Sequence, residues 1–180
     1  MVMPAYNGEA RIVSTVEAII RYWTPRRPVE VIVVDDGSSD QTAAIVAKHA
    51  ALHPELRLIR LASNRGKGAA VREGVLAAAG ELICFCDADL PMAVGEMGKL
   101  ITALEEGNDV AIASRALPES ELPVPPSALR RATSRSFNAI VRCLFGLPFR
   151  DTQCGLKGFR REAARAIFSR ATVDGFAFDV

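Results

Sequence analysis

Histidine is almost missing from this chain. The 180 residues hold two, His49 and His53, and none follows them. Cys154, in "TQCG", therefore has no histidine to complete a nucleophilic pair. His49 and His53 stand i, i+4, a spacing that suits a metal pair, but no third ligand lies near and HExxH is absent, so surface histidines are the simpler reading. The four cysteines, Cys84, Cys86, Cys143 and Cys154, form no CxxC pair and no zinc spacing, which favours reduced thiols and a cytosolic setting. No run reaches the ~18 apolar residues of a membrane span. The early turn signal "PAYNG" argues against a signal peptide. Internal repeats and low-complexity segments are absent. "NRGKG" fails as a P-loop, since Leu61 and Gly68 stand where that pattern needs Gly and Ser or Thr.

What is present is ordinary in bulk. Apolar residues make up 49% and charged residues 24%, as in a soluble globular protein. The length fits one domain with a sizeable core. The net charge of +1 hides an asymmetry: residues 1–114 carry 11 basic and 15 acidic side chains, residues 115–180 carry 11 and 6. A basic second half suits an anionic partner (phosphate, nucleic acid or a membrane surface) or is a solvated face. Nucleic acid is disfavoured, because the Arg-rich stretch lacks the interleaved aromatics on which single strands stack. The short apolar start "MVMP" and the interrupted end "FAFDV" read as cut, so a chain truncated at both ends is expected.

Apolar β-branched runs alternate with helical patterns. Strands are expected at Val2–Met3, Val29–Val34, Leu56–Leu61, Leu82–Cys86 and Val110–Ala113. Helices are expected at Ala10–Trp23, Gln41–His53, Ala69–Ala79 and Gly95–Glu105. That order predicts an α/β fold with a mostly parallel, Rossmann-like sheet covered on both faces. Ser39 or Asp40 should cap the second helix. Ligands in such sheets lie beyond the carboxyl ends of the strands, where "PAYNG", "DDGSSD", "DADL" and Ser114–Arg115 all fall. After a Pro-rich loop, "LPESELPVPPS", a helix is expected over Ala128–Leu144, carrying Arg130, Arg131, Arg135 and Arg142. "RDTQCGLKGF" reads as a turn or short strand and "RREAARAIFSR" as a further helix. The whole is read as one domain, 1–180, with a nucleotide-binding half (1–115) and an acceptor half (116–180).

Asp87 and Asp89 set two like charges one residue apart, so something positive is expected near them or a proton on one of them. A hard divalent cation fits, since Mg²⁺ or Mn²⁺ takes one or two carboxylates plus substrate phosphates. A turn with solvated acids is the plain alternative. Asp35 and Asp36 end a buried strand before Gly37, where an acid accepts from a ribose hydroxyl or base N–H, or forms an Asx turn. Gly66 and Gly68 allow close backbone approach, with Arg65 and Lys67 facing an anion or solvent.

Together, "MPAYNGEARI", "EVIVVDDGSSDQT", "LASNRGKGAAVREGVLAAAGELICFCDADL", "ASRA", "RDTQCGLKGFRREAARAIF" and "GFAFDV" resemble the GT-A glycosyltransferases of the large inverting family that contains the dolichyl-phosphate sugar transferases. The last two stretches most resemble dolichyl-phosphate β-glucosyltransferases and bacterial polyprenyl-phosphate glycosyltransferases. The resemblance implies transfer of a sugar, glucose above all, from a UDP-sugar to a polyprenyl or dolichyl phosphate with Mg²⁺ or Mn²⁺. Alternatives are a soluble or cell-envelope glycan acceptor, or a nucleotide-binding module without turnover. It implies a first nucleotide loop at Pro4, Ala5, Tyr6 and Glu9, uracil and ribose contacts at Asp35 and Asp36, and Lys67 beside the nucleotide. It implies the metal motif at Asp87, Ala88 and Asp89, with Asp89 the direct ligand. Arg115 falls near the phosphates and Asp179 near the acceptor, where it orients rather than deprotonates if the acceptor is already an anion. Arg130, Arg131, Arg135 and Arg142 fall on an interfacial helix against lipid phosphate, which implies a cytoplasmic chain peripheral on the membrane face. Two departures stand out: Gly8 replaces a common second Glu, and Pro91 replaces the Gln of some mannosyltransferases.

Overall fold

The computed structural model describes residues 1–88, 94–114 and 154–179. Asp89, Arg115, Arg130, Arg131, Arg135 and Arg142 lie outside the described residues, as does the helix expected over 128–144. Six strands form one sheet: β1 Val2–Ala5, β2 Val31–Asp35, β3 Leu56–Arg60, β4 Leu82–Cys86, β5 Val110–Ile112 and β6 Leu156–Arg160, in the order β3-β2-β1-β4-β6-β5. The helices are α1 Ile12–Trp23, α2 Thr42–Ala50, α3 Lys67–Ala77, α4 Met97–Glu105 and α5 Arg161–Phe168, with short 3-10 helices at Val94–Glu96 and Phe176–Asp179.

β1 to β4 are parallel, as the alternation predicts. The far edge differs. "CGLKGF" supplies a full strand, β6, which inserts antiparallel between β4 and β5. β5 therefore pairs with β6 rather than joining the parallel run. β1 also runs further than expected, through Pro4. Proline cannot donate to a ladder. It is tolerated because β4 meets β1 only at Val2, opposite Phe85, while the other side of β1 pairs with β2 up to Ala5 opposite Asp35.

Alternating strand residues feed two cores. Met3, Val31, Val33 and Cys86 face Ile12, Val16, Ile19, Val46, Met97 and Leu100 of α1, α2 and α4. Val2, Ile32, Val34, Ile83 and Phe85 face Ala70, Val71 and Val75 of α3 and Ala164 and Phe168 of α5. All five residues of β2 are buried, as expected of a central parallel strand covered on both sides. α3 lies so close that a Cβ on Gly74 would sit 2.4 Å from Val2 Cγ1. Fully burying a side chain such as Phe85 contributes about 1.5–3 kcal/mol. Phe85 also begins an aromatic chain, with ring centroids 6.2 Å from Phe159 and 5.7 Å from Phe178, and Phe159 lies edge-on to Phe168 at 5.4 Å.

Candidate active site

The carboxyl ends of β1, β2 and β4 open onto one surface. Two of its loops are stitched together. The loop after β1 donates from Asn7 N to Ser38 Oγ (2.9 Å), from Gly8 N to Thr42 Oγ1 (2.8 Å) and from Glu9 N to Asp40 Oδ2 (3.2 Å). The loop after β2 answers with Ser39 N to Asn7 Oδ1 and Gln41 N to Glu9 Oε2, both 2.9 Å. The N-cap of α2 is Gln41, with no side-chain cap, rather than Ser39 or Asp40; Asp40, one residue before it, accepts from Thr42 N at 2.9 Å as in an Asx turn. Gly37 has φ +69°, and a Cβ there would meet the Ser63 backbone at 2.5 Å, so no other residue fits this turn. Pro4 and Ala5 line the strand end, and Tyr6 stands half-exposed beyond them.

The two acids of "DDGSSD" have separate tasks. Asp36 accepts Arg65 N–H on Oδ1 and Gly66 N–H on Oδ2, each at 2.8 Å. Its carboxylate is thus used in holding the glycine loop, where a nucleotide contact was expected. Asp35 is fully buried. Its Oδ1 accepts weakly from Ser38 N at 3.3 Å. Its Oδ2 lies 3.5 Å from Arg60 Nε but receives no hydrogen bond. A buried carboxylate oxygen left without a donor is costly unless a ligand supplies one.

The glycine loop is not a phosphate cradle. Its close backbone approach is to the chain's own tail: Cβ atoms at Gly66 and Gly68 would lie 2.5 Å from the carbonyls of Asp174 and Val173. Ala69 N, at the start of α3, donates to Asp174 O at 3.2 Å. Arg72 clamps the same segment, through an ion pair to Asp174 at 2.6 Å and a hydrogen bond to Ala171 O at 3.1 Å. Lys67, whose Nζ lies 5.9 Å from the Phe176 ring centroid of that tail, turns to Asp87, with Nζ 2.6 Å from Oδ1. This is a positive group beside Asp87, the one of the two acids that lies among the described residues. Ala88 is fixed from α1, where Thr15 Oγ1 donates to its carbonyl at 2.7 Å.

Asp179 sits on the closing 3-10 helix with its side chain 7% exposed. It is paired with Lys157 of β6, which donates to Asp179 Oδ2. Burial pushes the Lys157 amine below the usual lysine range, and Asp179 works against that shift. Cys84, Cys86 and Cys154 are buried, reduced cysteines, and burial pushes the Cys84 thiol up, away from nucleophilic use. α2 ends at Ala50, short of the expected His53, so His49 lies on the helix and His53 three residues beyond it; their rings stack at 6.4 Å, with Glu17 3.9 Å from His49. Among the described residues no three His, Cys, Asp or Glu side chains gather as a metal site.

The model of the family described as Glycosyl transferase family 2 matches residues 1–168. The chain belongs to glycosyl transferase family 2. Dolichyl-phosphate beta-glucosyltransferase of Drosophila melanogaster is 36% identical over 194 residues, covering 100% of this chain and 60% of that protein. The Homo sapiens protein of the same name is 38% identical over 194 residues, with the same coverage. The chain thus spans about three fifths of the length of these relatives. Glucosyl-3-phosphoglycerate synthase from Mycobacterium tuberculosis, solved with Mn²⁺, UDP-glucose and glycerol 3-phosphate, superposes with TM-score 0.65 at 21% identity, over 99% of this chain and 61% of that one. At that identity the likeness establishes the fold, GT-A.

Within this family 2 chain the structure joins Lys67 to Asp87 and hangs the glycine loop on Asp36. Glu9 serves α2. Sequence reasoning missed Lys157, Gly155, Thr15 and the Arg72–Asp174 clamp. A lysine inside the apolar strand "GLKGF" is the one signal that pointed to any of them.

Proposed function

We propose that the chain carries the transfer site of an inverting glycosyltransferase that moves glucose from UDP-glucose to a polyprenyl phosphate such as dolichyl phosphate. The observation that carries the reading is that Asp35 and Asp87 stand at the carboxyl ends of the two parallel strands that flank β1, with Lys67 on Asp87 and Asp179 on Lys157 of β6, in a chain that aligns along its whole length with dolichyl-phosphate beta-glucosyltransferases.

Each residue has a physical task in that reaction. Asp35 Oδ2, buried and lacking a donor, suits the N–H of a uracil ring. Lys67 places a positive charge where the diphosphate leaves. Asp87 has a side chain that is 30% exposed. With Asp89 it forms a donor set of the hard kind that Mg²⁺ or Mn²⁺ takes. A divalent cation held there offsets the charge that builds on the diphosphate as the glycosidic bond breaks. Asp179, already paired with Lys157, is a poor general base and a good orienting group. That favours an acceptor that arrives as an anion, a phosphate, over a sugar hydroxyl that must lose a proton. Attack by the phosphate oxygen opposite the leaving diphosphate inverts the anomeric centre. Such an acceptor puts the site at a membrane surface, with Arg130, Arg131, Arg135 and Arg142 toward lipid phosphate and the chain peripheral on the cytoplasmic face. Among the described residues, no helix is long and apolar enough to cross a membrane.

Calorimetry with UDP-glucose and GDP-mannose, each with Mn²⁺ and with chelator, tests the donor half. Selective, metal-dependent UDP-glucose binding is expected, lost in Asp89→Ala with the fold intact. Glucosyl transfer to a short polyprenyl phosphate, against a free glycan, tests the acceptor half. Equal affinity for both nucleotides, or transfer to the glycan alone, would overturn the reading.

A further inference from the structure

β6 stands against β4 with Leu156 opposite Cys86 and Lys157 opposite Phe85. Immediately before it, the Gly155 carbonyl accepts the Asp87 N–H at 3.1 Å. This brings the Gly155 Cα under the Asp87 carboxylate. A Cβ there would lie 2.1 Å from Asp87 Oδ2, 2.6 Å from its Cγ and 3.2 Å from Oδ1. Gly155 is not among the residues with positive φ, so its backbone does not call for glycine. The carboxylate does.

Two residues on, Lys157 is 4% exposed. A lysine is seldom buried unless paired, and its amine donates to Asp179 Oδ2. The other groups facing it are Lys67 from α3, Cys154 before β6, and the Phe85 ring of β4, whose centroid is 5.7 Å from Nζ. Phe178, next to Asp179, packs on the opposite part of the same arrangement through Phe85. Asp179 is therefore held from the strand and from its own helix.

We propose that β6 is the positioning strand of the site: Gly155 seats the Asp87 carboxylate and Lys157 fixes the Asp179 carboxylate, so that one strand sets the gap between the donor-side and acceptor-side acids. The meaning of that gap rests on the proposed transfer reaction; the contacts do not. Gly155 and Lys157 are positioning residues that act through Asp87 and Asp179. An antiparallel strand suits this task because it enters the site from the side opposite to β4, so its first residues lie beside the last residues of β4.

The first test is a crystal structure of Gly155→Ala beside the wild type. The Asp87 carboxylate is expected to rotate off Lys67 while β4 and β6 stay paired. An Asp87 that keeps its place, with its carboxylate still on Lys67, overturns the seat. In solution the Mn²⁺-dependent part of UDP affinity should fall about tenfold or more, as expected when a reacting group is misplaced by about an ångström, with little change in Tm. The second test is a cycle of Lys157→Met, Asp179→Asn and the double variant. Each single variant leaves one member of a buried pair alone, so the double variant should melt no lower than the worse single one. Additive losses would overturn the fixing role. In transfer to a short polyprenyl phosphate, Lys157→Met should lower kcat with KM for UDP-glucose unchanged. A rise in that KM with kcat preserved would overturn it equally. A wild-type chain that binds no UDP sinks the transferase reading alone, since the crystal structure and the melting cycle still decide the role of β6.

Discussion

Around Asp35 and Asp36 the loops are knitted by short-range side chain-to-backbone hydrogen bonds; along residues 154–179 the same end of the sheet is held by ion pairs and phenylalanine rings. The first region fixes backbone. Asn7, Ser38, Asp40, Thr42 and Glu9 exchange bonds across two turns, and Asp36 extends the net to Arg65 and Gly66. The second region fixes side chains: Lys157 on Asp179, Arg72 on Asp174, Phe178 on Phe85. A donor site made of rigid turns can recognise a flat base and a diphosphate. An acceptor site made of two charged pairs and a ring is sensitive to the charge of what enters. The contrast is the one that the two halves of the proposed transfer reaction call for.

The largest expected effect breaks the junction of the two regions. Asp87→Ala removes the carboxylate that meets Lys67 at 2.6 Å, and turnover should fall about 10²–10³-fold, the scale of a lost electrostatic group. A steady-state assay checks it, with circular dichroism to show that the fold is kept. Unchanged turnover would detach Asp87 from the chemistry. Next comes Gly37→Ala in the knitted region. Positive φ and a backbone 2.5 Å from the new Cβ should cost about 3 kcal/mol, read by urea unfolding. In the other region Phe178→Ala should cost less, about 2 kcal/mol, because the ring is only partly buried. It should also lower transfer more than UDP binding. If the two substitutions affect UDP binding equally, the division into donor and acceptor regions fails.

Much of the first region was legible in the residues. A Gly after paired acids, an Asp two before Thr42, and continuous apolar β2 each name their structure through local rules. Helix α3 and strand β4 likewise follow from periodicity, within two residues at their ends. The second region was not legible in that way. β6 is antiparallel because Cys154 and Leu156 return to β4 from far along the chain, and nothing local marks such a return. Asp36 has the residue type of a ribose acid, yet two backbone N–H groups from 29 and 30 residues away claim it. Gly66 and Gly68 allowed close backbone approach, but nothing local says that the tail carbonyls are what approaches. Local chemistry names a capable residue; only the tertiary partner decides how its capacity is used.

The smallest effect concerns Lys157 and sharpens the comparison by charge alone. Burial lowers its pKa from the ordinary lysine value of 10.5. Below the folded pKa the amine is charged in both the folded and the unfolded chain, and the burial penalty is fully present. Between the folded pKa and 10.5 the unfolded chain binds more protons, so stability rises with pH through that window. The measurable quantity is the stability of the wild type minus that of the Lys157→Met/Asp179→Asn double variant, followed by urea unfolding from neutral pH toward about pH 10. The difference should climb as pH rises, because only the wild type carries the buried amine. A difference that stays flat up to that pH would mean that the attraction of Asp179 outweighs burial and raises the lysine above its ordinary value, since stability from such a group is lost only above about pH 10.4. The acceptor side would then be governed by its ion pair rather than by its low-dielectric setting, and a neutral acceptor would lose less there than an anionic one.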